Sequence, residues 1–221
     1  MDAGGNLNKI RKELPSGVKV VAVSKTRTPS EIMDLYNSGH RILGENRVQE
    51  LMEKKDELPE DIEWHMIGHL QTNKVKYIAP FISLIHSVDS VKLLRTINKE
   101  AKKNNRVIDC LLQVHIATEE SKFGFSEDEL LDFFSDLNTG DYPGVCIRGL
   151  MGMATFTDDT SLIRTEFKNL ARIFRELRET GRVSGAFNEL SMGMSGDYRI
   201  AVEEGSTIVR IGSLIFGERS Y

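Results

Sequence analysis

Alternating strands and helices that close into one (β/α)8 barrel, a TIM-type α/β fold, are what this sequence predicts, and three observations predict it. Short runs of β-branched and apolar residues recur along the chain. Longer amphipathic stretches opening with Ser, Thr, Pro or Asp separate them. Each separation is long enough to cross over between parallel strands. At 221 residues, 40% of them hydrophobic and 28% charged, one sizeable core is favoured over two small ones, so residues 1–221 are expected to form a single domain. Eight such units usually take roughly 250 residues, and an open doubly wound sheet is the competing architecture.

The strand candidates are Val18 to Lys25, Arg41 to Asn46, Ile62 to His69, Leu84 to Val88, Val107 to Ala117, Cys146 to Met153, Glu189 to Met194 and Thr207 to Gly217. Between them lie helical patterns such as PSEIMDLYNSG, SVKLLRTINKEAKK, SEDELLDFFSDL and DDTSLIRTEFKNLARIFRELRETG. In the last, Leu162, Phe167, Leu170, Ile173, Phe174 and Leu177 fall near helical spacing and Gly181 supplies a stop.

Composition removes several function classes. A formal net charge of −4 argues against nucleic acid as the main ligand, because backbone phosphates demand many basic contacts. The basic run KEAKKNNR suits the solvated C-terminal end of a helix, where cations offset the macrodipole. No segment approaches the roughly 20 apolar residues that cross a bilayer, and MDAGGNLNKIRKEL lacks a signal-peptide core, so a cytoplasmic location is expected. Cys110 and Cys146 have no partner at CxxC spacing and read as reduced, mostly buried thiols.

In a parallel barrel, chemistry gathers where the strands end, and the residues there are Lys25, Asn46, His69, Met151, Ser191 and Arg210. Alternation places Lys25 on the face of Val21 and Val23 and aims it inward. A buried ammonium loses its proton or finds a partner, and a neutral amine attacks carbonyls; a lysine bent out into solvent is the plain alternative. Arg210 shares a face with Ile208 and Gly212. Gly212 lets backbone N–H groups approach a ligand and Ser213 adds a hydroxyl, a combination suited to phosphate. The run Ser191-Met192-Gly193-Met194-Ser195 after strand seven fits the same role, since the loops after strands seven and eight commonly bind phosphate in barrels. Asn46 reads equally as an N-cap or a ligand contact. His65 and His69, four apart on a strand, stand roughly 13 Å from each other, too far to share a metal. His69 is left as a pocket or rim residue. His40, His86 and His115 have no Ser or Cys nucleophile near them in sequence, which gives a hydrolase triad no support. The Met-rich runs LMGMA and SMGMS read first as flexible core packing, with glycines that leave room for a planar ligand.

The motifs AVSK at Ala22, GENRVQE at Gly44, HMIGHLQTNK at His65, GLMGM at Gly149, LSMGMS at Leu190 and VRIGSLIFGER at Val209 stand in order from Val18 to Arg219. Together they resemble the pyridoxal phosphate homeostasis protein family, also known as the proline synthase co-transcribed family. The resemblance implies a barrel of the alanine racemase N-terminal domain type, with pyridoxal 5'-phosphate held as a Schiff base on Lys25. By the same resemblance, Ser191, Gly212 and Ser213 would hold the phosphate and Arg210 would face the pyridine nitrogen. Asn46 would lie beside the ring, with Met151 and His69 also near it. Ser213 stands where many relatives carry Thr, and His69 where the residue often varies; neither change removes a needed hydrogen-bonding group.

An arginine opposite the pyridine nitrogen disfavours ring protonation and weakens the ring as an electron sink. In the resembling racemases the second acid or base is a tyrosine on an additional β domain, and this chain ends at Tyr221, four residues after Gly217. The expectation is therefore a monomeric cofactor carrier in vitamin B6 homeostasis, without turnover of its own, that passes its cargo to pyridoxal phosphate-dependent apoenzymes. The alternatives are a pyridoxal phosphate-dependent amino-acid racemase or decarboxylase, and an aldolase-like barrel in which Lys25 attacks a sugar phosphate directly.

Overall fold

The computed structural model describes residues 2–118, 123–138 and 140–218; Arg219 and Tyr221, which end the last motif and the chain, lie outside them. Among the described residues the strands are β1 (Lys19–Val23), β2 (Ile42–Glu45), β3 (Glu63–Met66), β4 (Leu84–Val88), β5 (Ile108–Gln113), β6 (Val145–Met151), β7 (Glu189–Ser191) and β8 (Ile208–Ile211). Each pairs in parallel with the next, and β8 pairs with β1 over four residues, from Lys19 with Ile208 to Ala22 with Ile211, closing the barrel. The open sheet is thereby excluded.

The helices are α1 (Ala3–Glu13), α2 (Pro29–Asn37), α3 (Val48–Glu57), α4 (Val75–Ile78), α5 (Val91–Lys103), α6 (Glu127–Asp136), α7 (Thr160–Glu179), α8 (Tyr198–Glu203) and α9 (Ser213–Phe216). Their starts follow the side-chain chemistry of the sequence. Thr28 with Glu31 and Ser126 with Glu129 form capping boxes, and Ser90 and Asp159 cap α5 and α7. Lys102 and Lys103 occupy the last turn of α5, the place read for that basic run. None of the described helices is long and apolar enough to cross a membrane.

Apart from strand ends, two segments depart from the sequence reading. The run Thr207 to Gly217 is a strand only over Ile208–Ile211; after Gly212 the residues SLIF turn into α9. Ile215 and Phe216 are buried, and a short apolar run buried on most sides carries no period that separates strand from helix. The other is α1, which the sequence did not mark. It packs between α9 and α2, with Asn6 Nδ2 donating to the Ile215 carbonyl at 3.1 Å. The single turn after β8 is too short to cover the barrel seam, and α1 supplies the missing part of the helical ring.

The core has two layers. Outward-facing strand residues meet the helices in the larger cluster, which includes Leu43, Ile85, Leu112, Phe167 and Phe187. Inside the barrel, Val21, Leu84, Leu111, Met151 and Ile208 form a second cluster. Gly149, beside an irregularity in the β5–β6 register, lets β6 and β7 approach so closely that a Cβ there would lie 1.7 Å from the Glu189 carbonyl oxygen.

Candidate functional site

A cleft of about 490 Å³ opens at the C-terminal ends of the strands, within the size range of small-ligand sites. β1 and the turn after it contribute Val23 and Lys25; β8 and the start of α9 contribute Arg210, Gly212 and Ser213. The loop after β7 adds Met194, Ser195, Gly196 and Asp197, and the loop after β6 adds Ala154 through Asp158. The structure therefore gathers Lys25, Arg210, Gly212 and Ser213 of the sequence-predicted set onto one wall.

The remaining predicted residues lie elsewhere. Met151 is fully buried in the inner cluster beneath the cleft. Ser191 is also fully buried and off the cleft wall, because Arg210 Nη1 donates to its Oγ at 2.7 Å from above. His69 is not on the wall; its Nδ1 pairs with Asp89 Oδ2 at 2.9 Å and its ring stacks on Phe123. Asn46 is half-buried, with its backbone against Gly68, and is also off the wall. The capping alternative for Asn46 fails, since Arg47 is the N-cap of α3 and makes no side-chain capping bond. Lys25 itself sits in the turn after β1 rather than in the strand, yet alternation gave its direction correctly: Val21 is inside the barrel and Val23 lines the cleft.

Three loop contacts were not specified by the sequence reading, which gave the run Ser191 to Ser195 only as suited to phosphate. Ser195 Oγ accepts from the Gly212 N–H at 3.3 Å and so ties the β7 loop to the β8 loop. Gly193, at φ +95°, is required there, because a Cβ would meet Ala201 Cβ at 2.6 Å and Tyr198 Cα at 2.9 Å. Thr155 donates its N–H and hydroxyl to buried Glu166 of α7, both at 2.7 Å, which fixes the β6 loop. Loops carry no periodicity; the available signal was the second serine of SMGMS.

Below Arg210 runs a chain of hydrogen bonds. Arg210 has only donors, so Ser191 Oγ accepts from it, and the same hydroxyl pairs with His86 Nδ1 at 2.9 Å. His86 Nε2 in turn pairs with His65 Nδ1 at 3.0 Å. Burial pushes the His86 pKa well below the usual imidazole range, and that of His65 down to about 3, so both rings are neutral. Burial lowers Arg210 to about 10, which leaves it a cation at neutral pH. Its Nη2 donates to the Gly152 carbonyl at 3.1 Å, so the guanidinium is held by a hydroxyl and a carbonyl. Asp197 lies close enough to interact with its charge, while burial raises the Asp197 carboxyl pKa.

The model of the alanine racemase N-terminal domain matches residues 4–220. The chain is 44% identical over 204 residues to the pyridoxal phosphate homeostasis protein of Aquifex aeolicus, covering 92% of this chain and 88% of that one. Against the human pyridoxal phosphate homeostasis protein the identity is 38% over 213 residues, 92% of this chain and 77% of the other. The structure of PipY from Synechococcus elongatus with PLP bound superposes with a TM-score of 0.88 at 33% identity, covering 97% of this chain and 100% of PipY. Alanine racemase from Bartonella henselae shares the fold, with a TM-score of 0.73 at 16% identity over 100% of this chain and 61% of that one.

Proposed function

Since this chain belongs to the alanine racemase N-terminal domain family and to the pyridoxal phosphate homeostasis proteins, we propose that it holds pyridoxal 5'-phosphate as a Schiff base on Lys25. Its role is then vitamin B6 homeostasis without turnover of its own. The observation that carries this reading is one cleft with an amine, a buried guanidinium and a corner of hydroxyl and amide groups on its wall.

The residues fit such a ligand. Ser195, Gly212 and Ser213 form the phosphate corner, at the turn where the Ile215 and Phe216 N–H groups close onto the Gly212 carbonyl. The corner is narrow: a Cβ at Gly212 would come within 3.3 Å of the Val23 carbonyl oxygen. Ser191 acts on this site through Arg210, and Met151 packs its floor. When bound, the cofactor supplies an aldehyde and an electron-accepting ring. Arg210 is a fixed cation and donor, and facing the ring nitrogen it disfavours protonation there. That favours holding the cargo over amino-acid chemistry. We assign the carrier to the cytoplasm as a monomer formed by one domain, and apoenzymes that need the same cofactor as its recipients.

The test is the visible absorption spectrum of cofactor-saturated protein before and after borohydride reduction, followed by peptide mapping. The expected result is an imine band that reduction removes, with a pyridoxyl mass fixed on Lys25 and lost in Lys25→Ala. Saturated protein with neither band nor adduct would return the sugar-phosphate reading. Turnover of alanine or another amino acid by the pure protein would instead favour the racemase or decarboxylase.

A further inference from the structure

The turn that carries Lys25 is fastened on both sides by a buried polar cluster outside the cleft. Ser24, just before Lys25, donates its hydroxyl to Glu45 Oε1 at 2.6 Å, and its carbonyl accepts from Lys54 Nζ at 2.7 Å. Thr26, just after Lys25, donates its N–H to Glu50 Oε1. Lys54 joins the two sides, since the same ammonium donates to Glu45 at 2.8 Å and to Glu50 at 2.6 Å. Lys54 is 5% exposed and Glu45 fully buried.

Such a cluster is costly, which makes its location informative. Removing an ammonium and a carboxylate from water carries a desolvation cost that mutual attraction only partly offsets. Glu45 Oε2 is buried without a hydrogen-bond partner. An ordinary barrel would fill this space between β2 and α3 with apolar side chains. Here the cluster secures a backbone that is itself unfavourable: Thr26 has φ +66°, a left-handed conformation that β-branched residues rarely adopt. A strained turn persists only where its surroundings over-determine it.

We propose that Lys54, acting through Glu45 and Glu50, is a positioning residue that presents the Lys25 amine to the ligand's aldehyde carbon. The inference rests on the assignment of Lys25 as the imine-forming residue. In that step the amine nitrogen adds to the aldehyde carbon, a C=N bond forms, and the carbonyl oxygen leaves as water with no change of oxidation state. Lys54 does not line the cleft. It acts on where the Lys25 backbone lies, and misplacement of a reacting group by about 1 Å can cost on the order of a hundredfold in rate.

The experiment uses the full chain, with Lys54→Met and Glu50→Gln made in the Lys25 protein and in Lys25→Ala. Two quantities are read with pyridoxal 5'-phosphate: the rate of borohydride-trappable adduct formation on Lys25, and the dissociation constant. With Lys25 present, Lys54→Met is expected to slow trapping about tenfold or more. In Lys25→Ala, where binding relies on the phosphate corner and Arg210, Lys54→Met should change the dissociation constant by less than about twofold, as sites without shared partners behave additively. Glu50→Gln keeps an oxygen for the Thr26 N–H and weakens only the ion pair, so it serves if Lys54→Met does not fold; slower trapping is expected from it as well. Unchanged trapping in a folded variant overturns the inference. An equal loss of affinity in both backgrounds also overturns it, since the whole cleft would then be deformed. Wild-type protein that traps nothing on Lys25 overturns the Lys25 assignment and this inference with it.

Discussion

Arg210 donates to a hydroxyl and a carbonyl, and the partners below it, His86 and His65, are neutral imidazoles. Ser191→Ala would leave an Arg210 N–H and His86 Nδ1 unsatisfied in the barrel interior, at about 1–3 kcal/mol by the usual cost of a buried orphan. Urea unfolding checks this. The same burial makes the fold sensitive to acid. His65 at about 3, His40 at about 4 and His86 well below the ordinary value all have folded pKa values under the unfolded 6.5. Below pH 6.5 the unfolded chain therefore binds protons that the folded chain does not. Stability is full above that pH and is lost as pH falls, by about 1 kcal/mol per histidine from about pH 6.5 to about pH 5.5. Thermal melts across that interval should show a falling Tm, with a smaller fall in His65→Asn; a flat profile would refute the argument. Lys25, Arg210, Gly212 and Ser213 were legible because alternation or backbone chemistry marked each of them. The partnership of His86 with Ser191, 105 residues apart, was not, although both lie at inward positions of their strands. The resemblance set Ser191 beside the phosphate; the structure puts its Oγ under Arg210 and Ser195 on the cleft wall.

At the level of elements, capped amphipathic helices were the most legible part of the chain. Thr28, Ser90, Ser126 and Asp159 announce α2, α5, α6 and α7 by their own hydrogen bonds. α1 was illegible because Gly4 and Gly5 weaken helix propensity, and packing overrides propensity here. Gly4 is instead a contact point, where an added Cβ would meet Ser38 Cβ at 2.7 Å. Propensity alone predicts that Gly4→Ala stabilises by up to about 1 kcal/mol. We expect the opposite sign in chemical denaturation, because the side chain would force α1 away from the end of α2. Leu7, fully buried on the same helix, should cost about 2–5 kcal/mol when changed to alanine. The ends of β5, β7 and β8 were overestimated for a related reason, since apolar residues continue past the strands into buried loops and a helical turn.

For the whole molecule, the sequence made eight strands legible and predicted that they close, with an open sheet as the competing arrangement. Closure is decided by the β8–β1 pairing, a contact between residues too far apart for any local pattern to report. A ligand that binds only the closed barrel stabilises it by mass action: about 2.7 kcal/mol at a hundredfold excess over the dissociation constant. For a chain of this size that raises Tm by about 5–10 °C. Calorimetry with and without pyridoxal 5'-phosphate checks this, and Lys25→Ala should give the smaller shift. The ring of helices has a consequence of another kind. α1 packs on α9, and the residues that join them, Asn6 and Ile215, are 209 positions apart. At a synthesis rate of roughly 5–20 residues per second, about 10–40 s separate their translation. Until β8 and α9 are synthesised, β1 and α1 wait for the partners that close the seam.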